Sequence, residues 1–261
     1  MYCRFVSHSA AIFALLLSTY AQDQVPLSGE YKCEDPPYQV HIVSKSPLVM
    51  YLENFMTSDE RRHLLELADG NFKHSAVAQN SSSTIHAVRT SQSTSLQRSP
   101  IVQCLEQRAL NLHGLDIHTA NMEPIQLVKY APTERYHFHT DWFTDEQHAL
   151  ASMGGNRASS IFGYVKVDGV LGGGTNFPFL EPKSGEWCRF VDCDEEYEAG
   201  VTFRPVEGNA VFWENMVDLG KGWRVGDERV LHAGLPVVRG EKVGMNIWVR
   251  EGRVPDEVRG V

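Results

Sequence analysis

The sequence predicts an α+β protein in which two helices precede an all-β barrel or sandwich. Three observations carry this reading. Apolar residues recur at helical spacing in two stretches before residue 115. From about residue 123 the texture changes to short apolar or alternating runs separated by Gly, Pro, Asn and Asp, the pattern of many short strands joined by turns. A length of 261 residues fits one domain, or one domain with a helical flank, and suffices to bury a sizeable core.

The elements follow in order. Arg4 precedes the apolar run 10–17 and then Thr19-Tyr20-Ala21. That run is too short to span a bilayer and fits a signal peptide cut after Ala21; an uncleaved anchor is the alternative, and only then is membrane contact expected. A cleaved signal implies the secretory pathway, either the endoplasmic reticulum lumen or secretion. Cleavage also removes Cys3 and leaves Cys33, Cys104, Cys188 and Cys193. An even count in an oxidising compartment permits two disulfides. Cys188 and Cys193 could close a small loop, and Cys33 with Cys104 would then tie the N-terminal segment to a helix. Free buried thiols are the alternative. Asn80-Ser81-Ser82 is a glycosylation sequon, consistent with the same compartment.

Residues 22–47 hold several prolines and little periodicity and read as an extended lead-in. Thr57-Ser58-Asp59-Glu60 is a capping-box pattern, and the helix it opens carries Leu64, Leu65 and Ala68 on one face, with Gly70 placed to stop it. Residues 73–99, rich in Ser, Thr and Gln, read as loop with short strands. Ser99-Pro100 opens a second helix, in which Ile101, Leu105, Ala109 and Leu112 recur at helical spacing up to Gly114. Strands are expected at 124–130, 158–167, 201–206, 209–213, 229–233 and 244–250. The formal charge of −9 and the absence of a basic run exclude general nucleic-acid binding.

Chemistry concentrates in the β region. His139 and Asp141 are two residues apart, so along a strand they share a face. His232 must reach them from another strand. Two imidazoles and one carboxylate suit Fe(II) and occupy one face of an octahedron, leaving three positions open. A 2-oxo acid can fill two of these and dioxygen the third, which defines an oxygenase. The far carboxylate of the oxo acid then lies inside the barrel and needs a partner. Lys242 can supply it, with the hydroxyls of Tyr130 and Thr175 as further donors. Taken singly, each His is a surface or satisfied core residue, and Lys242 a solvated strand-end charge. His137 shares the face of His139 if the strand is regular, and a His137/His139 pair suggests a cupin-type site. That pattern adds a Glu four or five residues later, where this chain has Phe143 and Thr144. His139, Asp141 and His232 are therefore preferred, with His137 a neighbour that does not touch the metal.

The C-terminal half resembles the prolyl 4-hydroxylase type of Fe(II)/2-oxoglutarate dioxygenase. The motifs are Gln126-Leu-Val-Lys-Tyr130, Tyr136, His139-Thr-Asp141, Gly172-Gly-Gly-Thr175-Asn-Phe-Pro178, Pro205-Val-Glu-Gly208-Asn-Ala210-Val-Phe-Trp213, His232-Ala-Gly234-Leu-Pro236-Val237, Gly240-Glu-Lys242 and Trp248. Asp59-Glu60 and Arg89-Thr90-Ser91 resemble the family's front segment. The resemblance implies a double-stranded β-helix (jelly-roll) core with flanking N-terminal helices. It implies iron on His139, Asp141 and His232, and 2-oxoglutarate on Lys242, Tyr130 and Thr175 with Trp248 beside it. Arg157 falls where relatives place a substrate-loop arginine. It further implies hydroxylation coupled to release of succinate and carbon dioxide, with ascorbate rescuing oxidised iron. The chain then divides into a signal segment (1–21), an extended segment with supporting helices (22–122), the catalytic core (123–251) and a tail (252–261).

Four departures bear on this. Thr133 stands where the family has Gly between the two tyrosines, so that turn is expected to adopt a conformation open to other residues. Gly174 replaces a Glu, Arg250 replaces a His two residues after the Trp, and 181–200 is an insertion. The iron set is intact; the substrate is left open between peptidyl proline and a small molecule or a free or modified amino acid. A non-catalytic β-sandwich binding protein is the remaining alternative.

Overall fold

The computed structural model describes residues 31–75, 89–113, 117–194, 200–220 and 224–259. The N-terminal apolar run, the Asn80 sequon and Gly114 lie outside them. Helix α1 spans Ser58–Ala68 and helix α2 Pro100–His113. The capping box closes: Thr57 Oγ1 accepts from the Glu60 amide at 3.2 Å, and Glu60 Oε2 accepts from the Thr57 amide at 2.8 Å. Pro100 opens α2, where its missing N–H is no loss, and Ser99 Oγ caps the Val102 amide at 3.2 Å. Ile101, Leu105 and Ala109 are buried, as the spacing predicts. The fully buried Arg108 joins the helices by donating to both carboxylate oxygens of Glu60, and reaches back to Asp35. Two disulfides form, settling the pairing that the sequence left open: Cys33–Cys104 fastens the lead-in to α2, and Cys188–Cys193 closes a small loop of the insertion.

The strands are β1 (Gln39–Lys45), β2 (Leu48–Glu53), β3 (Lys73–His74), β4 (Gln92–Ser95), β5 (Gln126–Tyr130), β6 (Tyr136–His139), β7 (Arg157–Gly172), β8 (Thr175–Phe177), β9 (Val201–Phe203), β10 (Ala210–Glu214), β11 (Met216–Asp218), β12 (Arg224–Gly226), β13 (His232–Gly234) and β14 (Val237–Arg250). They build an eight-stranded sheet in the order β1-β2-β10-β7-β14-β5-β4-β3 and a four-stranded sheet in the order β6-β13-β8-β9, with β11-β12 a separate ribbon. The two larger sheets form the expected jelly roll. Alternation splits the core. On β10, Ala210 and Phe212 face the cluster that contains Leu64, Leu105 and Ala109 of the helices. Val211 and Trp213 face the interior, where they meet Phe177 and Phe203 of the smaller sheet. The large sheet is therefore buried on both faces, and its central strands read as near-continuous apolar runs.

Three sequence expectations are refined. The extended lead-in also pairs, since its residues 39–45 form β1, the edge strand beside β2; Val40 and Ile42 face solvent there, which hides the usual inward pattern. Strands β7 and β14 outrun the expected 158–167 and 244–250, because their antiparallel pairing continues where the side chains turn polar. Thr133 does not escape the left-handed conformation, but takes φ +73°. The turn is pinned: the Thr133 amide donates to Val237 O at 2.7 Å and the Val237 amide to Glu134 O at 3.1 Å. A β-branched residue there is strained. Thr133→Gly is expected to raise the unfolding free energy by about 1 kcal/mol, after allowing for glycine's greater chain entropy; an unchanged or lowered denaturation midpoint would refute the strain.

Candidate metal centre

The two sheets bring the ligand residues together. β13 pairs with β6, placing His232 directly opposite His139. The register slips between this pair and Gly234–Tyr136, so β6 carries a bulge. A bulge breaks the two-residue periodicity, which is why His137 is exposed while His139 turns toward His232. Strand β6 ends at His139, so Asp141 is not on the strand; it lies in the bend just beyond it. One ligand atom from each of His139, Asp141 and His232 falls within 4.8 Å of the others. His139 Nε2 is 3.7 Å and His232 Nε2 3.9 Å from Asp141 Oδ1.

Each ligand is aimed by its neighbours. His139 Nδ1 bonds the His137 carbonyl at 2.7 Å, and His232 Nδ1 bonds the Val230 carbonyl at 3.0 Å. An imidazole that donates through Nδ1 presents a bare Nε2 to a metal. Burial, and then the neighbouring His232, hold His139 neutral down to a pKa of about 3. Burial pushes Asp141 up, but His232 and His139, with the Arg157 guanidinium and the Ser160 hydroxyl bond, outweigh it and hold the carboxyl below its ordinary range. A neutral His139 beside an ionised Asp141 is the protonation pairing that binds a metal.

The centre lines a cavity of about 810 Å³ whose walls include Tyr130, Tyr136, Arg157, Phe162, Thr175 and Trp248. Lys242 lies behind Tyr130 and Phe162, with Nζ 4.7 Å and 5.7 Å from their ring centroids. Strand pairing sets Lys242 opposite Tyr130. The lysine is fully buried, and Nζ donates to the Gly173 carbonyl. Among the described residues no carboxylate pairs with it, and burial pushes its pKa down to about 7. Burial also pushes Tyr130 up to about 12, so that hydroxyl keeps its proton. Thr175 Oγ1 already accepts from Tyr164 at 2.9 Å, which frees its own proton to donate elsewhere. A buried cation and two hydroxyl donors fit a carboxylate guest.

Arg157 is placed in the wall and engaged. Its Nε and Nη2 each donate to Glu123 at 2.8 Å, Nη1 donates to the Asp141 carbonyl at 3.3 Å, and the guanidinium lies 3.7 Å over Trp248. Arg250, the departure from the family's His, donates to Glu123 at 2.6 Å and to the carbonyls of His148 and Gly155. Burial pushes Glu123 up, but Arg157 and then Arg250 bring it below its ordinary value. Sequence reading missed Glu123, whose segment gives no sign that two arginines converge on it. Neutralising it as Glu123→Gln leaves two buried guanidiniums facing each other. The expected loss of stability is about 3 kcal/mol, and a denaturation curve matching the parent would disprove the pairing. Ser160 and Asn215 were also missed; a polar residue inside the buried apolar strand β7, and one between the apolar strands β10 and β11, were their only signal. Gly174 follows from packing, because a Cβ there would sit 2.5 Å from the Thr202 methyl carbon and 3.0 Å from the Phe203 carbonyl oxygen.

This fold and site define a class, and comparison with known proteins agrees. Residues 125–250 match the 2OG-Fe(II) oxygenase superfamily. The chain is 31% identical to probable prolyl 4-hydroxylase 4 of Arabidopsis thaliana, over 92% of this chain and 78% of that protein. It is 30% identical to prolyl 4-hydroxylase 1 of the same plant, over 80% and 71%. In fold it is similar to the viral collagen prolyl hydroxylase of Paramecium Bursaria Chlorella virus-1, with TM-score 0.55 and 21% identity, covering 77% of this chain and 95% of that one. The chain belongs to the 2OG-Fe(II) oxygenase family, within its prolyl 4-hydroxylase-like group. It is a 2-oxoglutarate-dependent dioxygenase, and the cofactors of its class are Fe(II), 2-oxoglutarate and O2.

Proposed function

We propose that His139, Asp141 and His232 hold Fe(II), that Lys242, Tyr130 and Thr175 receive the far carboxylate of 2-oxoglutarate, and that the substrate is a proline within a peptide, hydroxylated at C4. One observation carries the reading. Three convergent ligand atoms open onto a cavity lined also by Tyr130 and Phe162, against whose rings lies a buried lysine with no carboxylate partner among the described residues. Bound together, iron and 2-oxoglutarate supply the oxidation: one oxygen atom of O2 enters a substrate C–H bond and the other is retained in succinate, with loss of carbon dioxide.

The chain's own residues set the geometry. His139 and His232 are oriented by their backbone bonds to offer Nε2, and Asp141 offers Oδ1. Lys242 fixes the depth of the cosubstrate through an ion pair. Arg157 and Trp248 form a rigid wall beside Asp141, while Trp142 and Phe143 add apolar surface to the cavity lining for the substrate ring. The proline reading draws on the similarity to prolyl 4-hydroxylases and on these apolar walls. Ascorbate serves to re-reduce iron after turnovers without substrate. Residues 123–251 act as the catalytic core and 22–122 as its support. Two disulfides favour a secretory-pathway enzyme.

The test is purified protein with Fe(II), ascorbate and 2-oxoglutarate, with and without proline-rich peptides. Peptide-dependent succinate release and a mass gain of one oxygen on proline are expected. Succinate release that no peptide stimulates, but a small amino-acid substrate does, overturns the peptide assignment.

A further inference from the structure

We propose that Ser160 and Asn215 are positioning residues that hold Asp141 as a one-oxygen ligand and thereby set the affinity of the site for iron. This rests on the assignment of His139, Asp141 and His232 as iron ligands.

The two oxygens of Asp141 have different surroundings. Oδ1 faces the two imidazoles. Oδ2 points away from them and accepts from Ser160 Oγ at 2.6 Å and from Trp248 Nε1 at 3.0 Å. A carboxylate oxygen holding two hydrogen bonds inside the core is not free to swing onto a metal. The carboxylate would therefore present only Oδ1 to a bound metal.

The Ser160 bond needs a direction. A hydroxyl has a single proton and could give it to either neighbour. Asn215 Nδ2 donates to Ser160 Oγ at 2.9 Å, so the amide occupies an acceptor lone pair and the hydroxyl proton goes to Asp141. Turned over, the amide would present Oδ1 and draw that proton away. The Asn215 backbone is itself fixed, its amide donating to Ala158 O at 2.9 Å and its carbonyl accepting from the Asp227 amide at 2.8 Å.

Ser160 and Asn215 are both buried and neither lines the cavity. Among the described residues Asn215 Oδ1 has no hydrogen-bond partner, although buried carbonyl oxygens usually have one. A pair serving only to fill the core would be replaced by apolar residues at little loss. The relay runs Asn215 to Ser160 to Asp141, and its end is a ligand atom's neighbour.

The test uses the full chain stripped of metal and titrated with Fe(II) without oxygen, followed by calorimetry, with thermal unfolding of the metal-free forms alongside. Ser160→Ala, Asn215→Leu and Asn215→Asp are expected to weaken iron binding by roughly 10- to 100-fold, the usual effect of losing a group that orients a ligand. Asn215→Asp keeps the shape but supplies an acceptor that pulls the hydroxyl off Asp141, and it serves if an alanine variant does not fold. Ser160→Thr retains the hydroxyl and is expected to match the parent. Parent-like iron affinity in the Asn215 variants, while His232→Ala loses iron, overturns the relay alone. Parent-like affinity in His232→Ala overturns the metal assignment beneath it.

Discussion

Alanine at Asp141, His139 or His232 is expected to abolish 2-oxoglutarate turnover, a fall of at least about a thousandfold, or roughly 4 kcal/mol of barrier. Each removes one of three ligand atoms that the fold brings within 4.8 Å, and two imidazoles or one imidazole with a carboxylate cannot hold iron in a defined orientation. Asp141→Ala has a second consequence. It strands the Ser160 hydroxyl and the Trp248 indole N–H, whose shared acceptor is Asp141 Oδ2, in a buried place. His137→Ala is the internal contrast: that residue is exposed and outside the convergent set, so its variant should turn over like the parent. The measurement is succinate release, together with iron content. Full turnover in any of the three ligand variants sinks the site.

Lys242→Met is expected to do two opposite things. The metal-free protein should become more stable by about 1–4 kcal/mol, because a buried cation without a counter-ion gives way to an apolar chain of similar length. Affinity for 2-oxoglutarate should fall by at least about thirtyfold, the consequence of removing one partner of a buried charge pair. The sign of the pH dependence follows from the lysine. Its folded pKa, about 7, lies below the ordinary 10.5, so the unfolded chain binds that proton more tightly. The stability penalty is fully present below pH 7 and fades as pH rises toward 10.5. The cosubstrate's carboxylate binds the ammonium form, so binding takes up a proton above pH 7. In the parent, affinity should weaken above that pH by up to about tenfold per pH unit, and Lys242→Met should lose this slope. A variant that binds 2-oxoglutarate as tightly as the parent would detach Lys242 from the cosubstrate.

The helices were legible because their ends are written locally. Thr57 with Glu60, and Ser99 with Pro100, specify starts through contacts within four residues. The central strands were legible from their apolar runs, but β1 was not, since Val40 and Ile42 turn outward, and the polar ends of β7 and β14 were not, since backbone pairing there outlasts the side-chain pattern. At the site, the ligand types and Lys242 were readable from motif and chemistry. Glu123, Ser160 and Asn215 were not, because each has meaning only through residues distant in the chain.

The sequence by itself determined the candidate ligand types, the two helices and the family, and it permitted two disulfides without fixing their pairing. Only the tertiary structure shows that His137 stands exposed while His139 turns toward His232, through a bulge in β6 that appears when β13 pairs beside it. It also decided that Asp141 acts from beyond the strand, that Thr133 bears the left-handed turn, and that Arg157 and Arg250 share Glu123. The physical reason is the same in each case. Composition and spacing fix what a residue can do, but strand register fixes which distant groups it meets, and pKa, ligand direction and strain are properties of those meetings.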